Sequence, residues 1–384
     1  MNLHRKKMLD WYLGGLLMAA LKPWVWLIGQ ILKRDHTPYV RESICFIKML
    51  GGGSLVIAYP ALLALRRQYP TATFSLICAQ GIRPFAQSLD VFDRIDEISD
   101  TSLPRLVSSS LRALRNNFRV DTLVDLEVYS RLTTVLSTLT CARNRVGFYL
   151  EAVFWRKLLH THLIFFNRFS GTFLWYDAVA RLLGAEPVAI EECQELSRKR
   201  FQLLQMPNPE VRRIALGHSC SDLAHERMLN EQQWLMVFRE HLPANEKAVI
   251  VLLGTADERE PAARIIDVLA KEFPLLQFRN YCGELSLQDS IGRLATCQEF
   301  WGIDSALLHY ARLLGLTCIS FWGPTNPTTL LRPIPGLNET VRYGNVPCSP
   351  CIHVAEEPPC QGNNVCIQSL FDGDKEYDSV LWLA

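Results

Sequence analysis

The feature that most constrains the fold is an alternation of short apolar runs with segments of helical spacing, clearest in residues 297–327. An apolar strand at 299–302 is followed by a helical pattern at 305–314, which ends at Gly315, and by a second apolar strand at 317–322. This order predicts a β-α-β unit with parallel strands. Ligands bind beyond the carboxyl ends of such strands, so the polar residues there are candidate site residues.

The same alternation covers most of the chain in two series. The first has predicted strands at 44–49, 73–78, 122–126 and 145–148 and predicted helices at 55–68, 103–116, 130–139 and 151–190. The second has strands at 213–217, 248–253 and 277–279 and helices at 231–241, 258–273 and 287–295, before the β-α-β unit above. A polar stretch at 191–209 is the predicted linker. We therefore predict an α/β fold with two Rossmann-like doubly wound domains, residues 36–190 and 210–384, facing a cleft.

Composition limits the classes of function. A chain of 384 residues that is 49% hydrophobic can bury a full core, and its net charge of +1 gives no support for a nucleic-acid partner. Most of the twelve cysteines lie in or near apolar segments, which suits the reducing cytoplasm. The N-terminal apolar run has no small-residue cleavage site, so we expect no cleaved secretory signal.

Residues 1–35 differ from the rest and are predicted to associate with a membrane. Two apolar runs, 11–21 and 24–32, are separated by Lys22 and Pro23, and each is shorter than the about 20 residues that a spanning helix needs. The runs are rich in residues that favour the bilayer interface, namely Trp11, Tyr12, Trp24 and Trp26. We predict a monotopic hairpin or bent helix in the interface. A single tilted spanning helix and a buried pair of core helices are the alternatives.

Small and polar residues follow the strands of the second domain, where a phosphate group would bind. The hydroxyl of Ser305 lies at a helix start, and helix N-termini attract anions. The candidate ligand-binding residues are Ser219, Ser221, Gly254, Glu258, Ser305, Ala306, His309, Gly323, Pro324 and Thr325, with Asp304 beside them. Ordinary capping and tight turns are the alternative interpretation of these residues.

The first domain has a glycine-rich loop at 48–54, directly after its first strand. Gly53 and its neighbours allow a ligand to approach the backbone, but the loop has neither the Walker spacing nor G-x-G-x-x-G. The strand at 123–126 contributes an acidic end, with Glu127 further out than Asp125 on the same face. A structural turn and a surface glutamate are the alternatives.

Together the two stretches resemble glycosyltransferase family 9, the heptosyltransferase family of bacterial lipopolysaccharide synthesis. The loop at 48–54 and the following VIAYPALLALRRQYP are similar to the family's glycine-containing loop and "LPALRALRRxYP" helix. Residues 297–327 are similar to its "xGNDSGPxHLAxALGxPxxxLFGPTDP" signature. The resemblance spans about residues 43–370. It implies a GT-B-type fold, an ADP-heptose donor and a lipopolysaccharide-core or other lipid-linked glycan acceptor, at the cytoplasmic face of the bacterial inner membrane.

The resemblance also implies roles, with departures from the family pattern. Ser54 stands where the family has the aspartate proposed to take the acceptor's proton, and serine is a poor base at neutral pH. Glu127 is our candidate replacement, and a mechanism that relies on positioning alone is the alternative. Arg227 matches the family's lysine that meets the diphosphate, and Glu258 would bind the ribose hydroxyls. The predicted catalytic residues are Glu127, Ser54, Asp304 and Arg227.

The resemblance leads to three further predictions, about the donor site, about Arg131 and about cofactors. Ala306 replaces the family's usual glycine, and His309 could bind the donor sugar. Arg131 could bind a phosphate or an acidic acceptor group. If Arg227 and the helix start neutralise the leaving group, catalysis needs no metal or other cofactor.

Four cysteines fall within a short C-terminal segment, 348–366. Four thiolates that include a C-x2-C pair suit tetrahedral zinc, so a structural zinc site is one prediction, and free thiols or disulfides are the alternatives. The four residues are Cys348, Cys351, Cys360 and Cys366.

Two other functional classes stay open. Serine at position 54 is compatible with a catalytically silent protein that binds a nucleotide sugar or scaffolds a membrane assembly. A nucleotide-sugar epimerase or dehydrogenase is disfavoured, because the chain lacks G-x-G-x-x-G and a suitably placed Tyr-x3-Lys pair.

Overall fold

The computed structural model describes residues 3–201, 211–220, 225–352 and 358–372. The chain divides into two compact units, Met1–Val188 and Ala189–Ala384. Each contains one six-stranded sheet in which all neighbouring strands are parallel. The fold class predicted from the sequence, two Rossmann-like domains of the GT-B type, is confirmed.

The first unit begins with an apolar helical segment and continues as alternating strands and helices. Its strands are β1 (Ser43–Lys48), β2 (Thr73–Ala79), β3 (Arg94–Ile98), β4 (Thr122–Asp125), β5 (Asn144–Tyr149) and β6 (His162–Phe165). Its α-helices are α1 (Leu3–Leu9), α2 (Gly15–Leu32), α3 (Gly52–Ile57), α4 (Tyr59–Gln68), α5 (Arg83–Leu89), α6 (Leu103–Asn116), α7 (Arg131–Leu139) and α8 (Thr172–Leu182). Short segments of other helix types are a π-helix at Asp10–Gly14 and 3₁₀ helices at Gln80–Ile82 and Glu151–Arg156.

The second unit repeats this alternation. Its strands are β7 (Arg212–Gly217), β8 (Ala248–Leu252), β9 (Gln277–Asn280), β10 (Glu299–Ile303), β11 (Thr317–Trp322) and β12 (Glu339–Tyr343). Its α-helices are α9 (Ile190–Phe201), α10 (Glu231–His241), α11 (Arg259–Glu272), α12 (Leu287–Leu294), α13 (Ala306–Leu314), α14 (Pro327–Leu330) and α15 (Val365–Gln368). Short 3₁₀ helices lie at His225–Arg227 and Ala256–Glu258.

The strand order places a candidate site at the same point of each sheet. The orders are β3-β2-β1-β4-β5-β6 and β9-β8-β7-β10-β11-β12, so the connections change direction between β1 and β4 and between β7 and β10. The carboxyl ends of the two strands that flank such a switch point leave a crevice for a ligand. Central strands buried on both faces, such as β4 and β8, supply the rigid support.

Two segments in the middle of the chain have a structure that differs from the prediction. The segment 151–190 was predicted as helical, but it contains the edge strand β6, which pairs with β5. The sequence did not predict this strand, because pairing between distant residues leaves no local periodicity. Residues 191–201 of the predicted linker belong to α9, where the buried Gln194 side chain donates to the Arg312 carbonyl at 2.7 Å. The rest of the predicted linker, 202–209, lies outside the described residues.

The N-terminal segment is one nearly continuous helical rod, Leu3–Leu32, with a π turn at Asp10–Gly14. Helix α2 continues through Pro23, so the hairpin, one of the two forms that we predicted, is wrong. By length and composition alone, the 26 residues of Lys7–Leu32 are apolar enough to cross a membrane.

Candidate functional site

The switch point of the second unit brings together three residues predicted from the sequence. Asp304 follows β10, Thr325 follows β11, and Arg227 ends a 3₁₀ turn after β7. Arg227 Nη1 donates to the Asp304 carbonyl at 2.9 Å and lies 3.2 Å from its Oδ2. The Thr325 hydroxyl donates to the same Oδ2 at 2.8 Å. A buried carboxylate thus holds a guanidinium beside the first turn of α13.

The first turn of α13 has hydrogen-bonding capacity that its own residues do not use. Ser305 is the N-cap residue, yet its side chain makes no capping hydrogen bond. Its Oγ is buried and has no hydrogen-bond partner among the described residues. The first N–H groups of a helix also lack intrahelical acceptors and favour an anion. Ser305 and the half-buried Ala306 are therefore suited to contact a phosphate oxygen.

His309 lies one turn further along α13 and is buried. Burial lowers the pKa of its imidazole from 6.5 to about 4, with a further contribution from Arg312 and Arg227 that Asp304 opposes. The imidazole is therefore neutral at physiological pH and can donate one hydrogen bond and accept another. This agrees with the sugar-contacting role predicted for it, which stays a prediction.

The residues after β7 line the same switch point. Ser219 and Cys220 are buried, and burial raises the pKa of the Cys220 thiol to about 11, although nearby Arg227 acts in the opposite direction. His218, which the sequence analysis passed over, is also buried, and burial lowers its pKa. Its position directly after a strand was the available signal. Ser221 lies outside the described residues.

Gly254 and Glu258 form a structural pair after β8. The Glu258 carboxylate accepts from the Thr255 backbone N–H at 2.5 Å and completes a capping box with Thr255. A Cβ atom at position 254 would collide with Glu258 Oε2, so glycine is needed there for this contact. The structure therefore explains both residues without a ligand, and ribose binding by Glu258 stays a prediction.

The loop 323–325 is packed against the cysteine-rich segment. A Cβ at Gly323 would lie 2.7 Å from Cys366 Sγ. The Ser349 hydroxyl donates to the Gly323 carbonyl, and the Ile352 N–H donates to the Pro324 carbonyl at 3.1 Å. The cysteine-rich segment thus fixes the backbone of the loop that carries Thr325.

The four cysteines of that segment do not form a metal site in the described structure. Cys351 and Cys366 are buried and the other two are half-buried. All four, Cys348, Cys351, Cys360 and Cys366, are free thiols. Across the described ranges, no group of three or more His, Cys, Asp or Glu side chains is placed to hold a metal ion. Cys366 packs into the core of the unit, and the structural zinc site stays a prediction.

In the first unit, Lys48 and Glu127 meet at the switch point between β1 and β4. Lys48 Nζ lies 3.0 Å from Glu127 Oε1, which also accepts from the N–H groups of Met49 at 2.7 Å and Leu50 at 3.0 Å. Burial opposes ionisation of Glu127, but Lys48 and these N–H groups outweigh it and lower its pKa. Glu127 is therefore a firmly ionised carboxylate that fixes the start of the glycine-rich loop, and a weaker base than an unpaired glutamate.

Ser54 closes the same loop. Its hydroxyl donates to the Gly51 carbonyl at 2.6 Å, and Gly51 has a φ of +75°, a conformation that favours glycine. Gly53 lies in the first turn of α3 and is half-buried. The described contacts of Ser54 are thus those of a turn, and a direct role in catalysis stays a prediction.

Asp125 belongs to a buried charged cluster beneath Glu127 that the sequence did not reveal. Its carboxylate accepts from Thr133 at 2.9 Å and from Arg156 Nη2 at 3.0 Å. Burial raises the pKa of Asp125 to about 6, even though Arg156 acts in the opposite direction. Arg156 also donates to the Glu127 carbonyl at 2.5 Å, so the cluster supports the strand end. Arg156 lies in a segment predicted as helical, where no pattern distinguished it.

Arg131 does not extend toward a ligand as the sequence analysis suggested. Its Nη1 donates to the Trp11 carbonyl at 2.9 Å. Its guanidinium lies 3.6 Å from the centre of the Trp11 ring and 4.7 Å from that of Trp155. These contacts join α7 to the N-terminal helical segment, and because that segment is remote in sequence, local pattern could not predict them.

A protein family and a known relative match parts of this chain. Residues 188–360 match the model of glycosyltransferase family 9 (heptosyltransferase). Over 83 residues, 22% of the chain, the sequence is 31% identical to lipopolysaccharide heptosyltransferase 2 of Salmonella typhimurium. That match spans 24% of the relative's length, about a quarter.

Solved structures show the same fold. The E. coli heptosyltransferase WaaC with ADP superposes with a TM-score of 0.62 at 16% identity, covering 78% of this chain and 92% of that one. The E. coli ADP-heptose lipopolysaccharide heptosyltransferase II gives a TM-score of 0.59 at 15% identity, covering 86% and 98%. A family 9 glycosyltransferase from Veillonella parvula gives 0.60 at 15% identity, covering 80% and 87%.

Proposed function

We propose that this chain is a glycosyltransferase, because its residues 188–360 match the model of glycosyltransferase family 9, the heptosyltransferase family. It takes a sugar from a nucleotide diphosphate donor and transfers it to a lipid-linked glycan. The donor binds to the second unit and the acceptor to the first. By similarity to heptosyltransferases, the sugar is a heptose, the donor nucleotide is ADP and the acceptor is a lipopolysaccharide core.

The observation that carries the proposal is the group formed by Arg227, Asp304 and Thr325 beside the start of α13. Nucleotide diphosphates carry two adjacent anionic groups, and this site offers a guanidinium, helix N–H groups and the Ser305 hydroxyl, which has no partner among the residues that the structure describes. The same elements occupy the switch point at which open α/β sheets bind nucleotides.

The transfer breaks the bond between the anomeric carbon and the phosphate oxygen, whose electrons leave with the nucleotide diphosphate. The acceptor hydroxyl oxygen forms the new bond to the anomeric carbon, and its proton passes to a base. Arg227 and the α13 N-terminus stabilise the charge that develops on the diphosphate. In this mechanism these groups do the work of a metal ion, so no cofactor is required.

Glu127 and Ser54 are our candidates for the acceptor side. The three donors on Glu127 Oε1 favour a positioning role, in which the carboxylate holds the glycine-rich loop in the shape that receives the acceptor. A Glu127→Gln variant distinguishes this role from that of a base, since glutamine can still accept from Met49 and Leu50 but cannot take a proton. We expect turnover reduced by less than about 10²-fold for positioning and by about 10²-fold to 10⁴-fold for a base.

We also propose a location at the cytoplasmic face of the bacterial inner membrane, where a lipid-linked acceptor is available. The exposed apolar surface of the Leu3–Leu32 segment supports membrane association.

A panel of nucleotides and nucleotide sugars tests the proposal with the full-length purified protein. A ligand at 100 times its Kd stabilises the folded state by about 2.7 kcal/mol, which a thermal unfolding scan detects. We expect ADP or ADP-heptose to raise the unfolding temperature more than UDP or GDP compounds do, and ADP-heptose to be consumed when acceptor is added. No stabilisation by any member of the panel would contradict the donor site.

The alternative is a catalytically silent family member that binds a nucleotide sugar or scaffolds a membrane assembly, as Ser54 in place of aspartate suggests. Stabilisation by nucleotide sugar without turnover on any lipopolysaccharide acceptor would favour it. Turnover that a Ser54→Ala variant retains would reject it.

A further inference from the structure

The N-terminal helical segment exposes a large part of its apolar surface. Seven of its large apolar side chains are each more than half exposed, namely Trp11, Tyr12, Leu16, Trp24, Trp26, Ile31 and Leu32. A contiguous apolar surface of this kind on a folded protein marks a binding surface. Tryptophan and tyrosine are the side chains that favour the headgroup level of a bilayer.

One stripe of the same helix is not exposed, because it packs on α7. Met18, Leu21 and Val25 contact a small core that includes Val135 and Leu159. Gly14 extends the stripe by one turn, and a Cβ there would lie 2.6 Å from the Arg131 Cβ. Residues 14, 18, 21 and 25 recur at helical spacing, so the contact continues along about 16 Å of the helix.

Polar contacts fasten both ends of the segment to the first unit. The Asp10 carboxylate accepts from the Ser130 hydroxyl at 2.6 Å and from the N–H groups of Arg131 and Leu132 at 2.9 Å each. It thus caps α7 from another part of the chain. At the other end, Arg34 Nη1 donates to the Cys141 carbonyl at 3.1 Å. The helix is therefore an integral part of the unit and not a loosely attached anchor.

The first unit has two further exposed apolar side chains, which flank in sequence a residue that contacts the helix. Trp155 packs against the Met18 core, and on either side of it in sequence Phe154 is 58% exposed and Leu158 is 60% exposed. Lys157 lies between these two exposed residues. The combination of apolar side chains with an adjacent cation suits a bilayer with anionic headgroups.

The packed stripe is difficult to reconcile with a helix that spans a bilayer. The hydrocarbon core is about 30 Å thick, and the 18 residues of α2 extend about 27 Å, so a spanning α2 would lie almost wholly in hydrocarbon. The elements that cover its stripe would have to enter the hydrocarbon with it, including the charged cap of α7. Lipid offers no partners for such polar groups.

We propose that the N-terminal helix lies in the plane of the membrane and that Phe154 and Leu158 insert beside it, forming one composite surface for an anionic lipid bilayer. This proposal rests on the membrane location proposed above and adds its orientation and its second component. It places α7 directly above the lipid, next to the loop that carries Glu127.

Vesicle flotation with the full-length chain tests the composite surface. Vesicles of phosphatidylcholine with phosphatidylglycerol serve as the probe. The test variant is Phe154→Ser/Leu158→Ser. The control variant is Leu111→Ser/Phe118→Ser, which removes two similarly exposed apolar side chains elsewhere in the unit. We expect the first variant to bind about tenfold more weakly and the second to bind like the native chain. Thermal unfolding scans verify that both variants are folded.

The outcomes separate the two levels of the proposal. No flotation of the native chain would overturn the membrane location as well as the composite surface. Flotation that the Phe154→Ser/Leu158→Ser variant retains in full, or that both variants lose equally, would overturn only the composite surface.

The orientation of the helix has its own test. A protease-cleavable tag is placed before Met1, and the chain is expressed in bacteria from which sealed inverted inner-membrane vesicles are prepared. A helix lying in the plane leaves the tag on the same side as the folded units, so external protease removes it. A tag that is protected until detergent is added would show a spanning helix and contradict the proposal.

Discussion

The two units have the same strand order and place an acid-base pair at the same switch point, yet the two pairs differ in what surrounds them. Lys48 and Glu127 in the first unit meet with two backbone N–H groups that converge on the same oxygen. Arg227 and Asp304 in the second unit lie beside a helix start, where the Ser305 hydroxyl has no partner among the described residues.

This difference indicates that the first pair supports a loop and that the second pair lies at a ligand-binding site. Glu127 has its charge neutralised within the protein, so we expect its main contribution to be the stability and shape of the glycine-rich loop. The second pair adjoins hydrogen-bonding groups that no described side chain or backbone group uses, and an anionic ligand would satisfy them. One topology therefore supports two kinds of site, and the surroundings of each pair decide which kind it is.

The largest effect should come from breaking the first pair. Lys48→Met leaves the Glu127 carboxylate buried without its cation, which we expect to lower the free energy of unfolding of the first unit by about 3 to 5 kcal/mol. Urea denaturation followed by tryptophan fluorescence measures this change. Affinity for ADP should stay within about twofold of native.

A double variant provides the control. Lys48→Met/Glu127→Gln removes both charges, and we expect it to recover much of the lost stability. If Lys48→Met reduces ADP affinity strongly while leaving stability intact, the division between the two units is wrong.

The pH dependence of the second unit should be set in part by His309. Its pKa falls from 6.5 to about 4 in the folded state, so between these values the unfolded chain binds a proton that the folded unit does not. Stability is therefore full above pH 6.5 and decreases as the pH falls toward 4, by up to about 3 kcal/mol.

A His309→Gln variant should flatten this part of the stability curve, which urea titrations at pH 4.5, 5.5 and 7 would reveal. Asp125, whose pKa is raised to about 6, acts in the opposite direction in the first unit, so the unfolding of the two units must be followed separately. An unchanged slope in the variant would show that His309 is not the group responsible.

The second pair should govern ligand affinity. Arg227→Gln removes the guanidinium near the α13 start, and we expect ADP to bind about 10-fold to 100-fold more weakly, the loss of one or two charge-assisted hydrogen bonds. Arg264→Gln is the matched control, since Arg264 forms surface ion pairs with Glu231 and Glu260 in the same unit. Isothermal titration calorimetry gives the Kd values. Equal losses in both variants would indicate a nonspecific effect of charge.

The smallest effect should come from Ser305. Ser305→Ala should weaken ADP binding by about 3-fold to 10-fold and leave stability almost unchanged, because the hydroxyl makes no internal hydrogen bond in the described structure. Ser286→Ala offers a contrast, since the Ser286 hydroxyl caps α12 by accepting from Asp289 N–H at 3.1 Å. That variant should lose about 1 kcal/mol of stability and keep its ADP affinity. The reverse pattern would contradict the assignment of Ser305.

The sequence predicted the parts of the structure that local pattern determines. Helix α6 and strand β11 have the bounds that helical spacing and an apolar run predicted. Asp304 and Thr325 meet because parallel strands end at one edge of the sheet. Edge strands β3, β6 and β12 were missed, because each is short, partly exposed and pairs with only one neighbour.

The parts that failed depend on contacts between residues far apart in sequence. From the sequence, Arg131 was a candidate cation for binding a ligand. In the structure its guanidinium instead lies over the ring of Trp11, which belongs to the Leu3–Leu32 segment. Arg156 reaches Asp125 across 31 positions, and Lys48 reaches Glu127 across 79. Side-chain networks of this kind have no periodicity that a single sequence can reveal.

Hydrogen-deuterium exchange of the full-length protein with and without saturating ADP tests the central claim most directly. The account predicts slower exchange in peptides that cover residues 304–309 and 323–325, where the helix start and the threonine loop meet the diphosphate. Peptides that cover residues 48–54 should be unaffected by ADP alone. Protection confined to residues 48–54, with none at 304–309, would contradict the account.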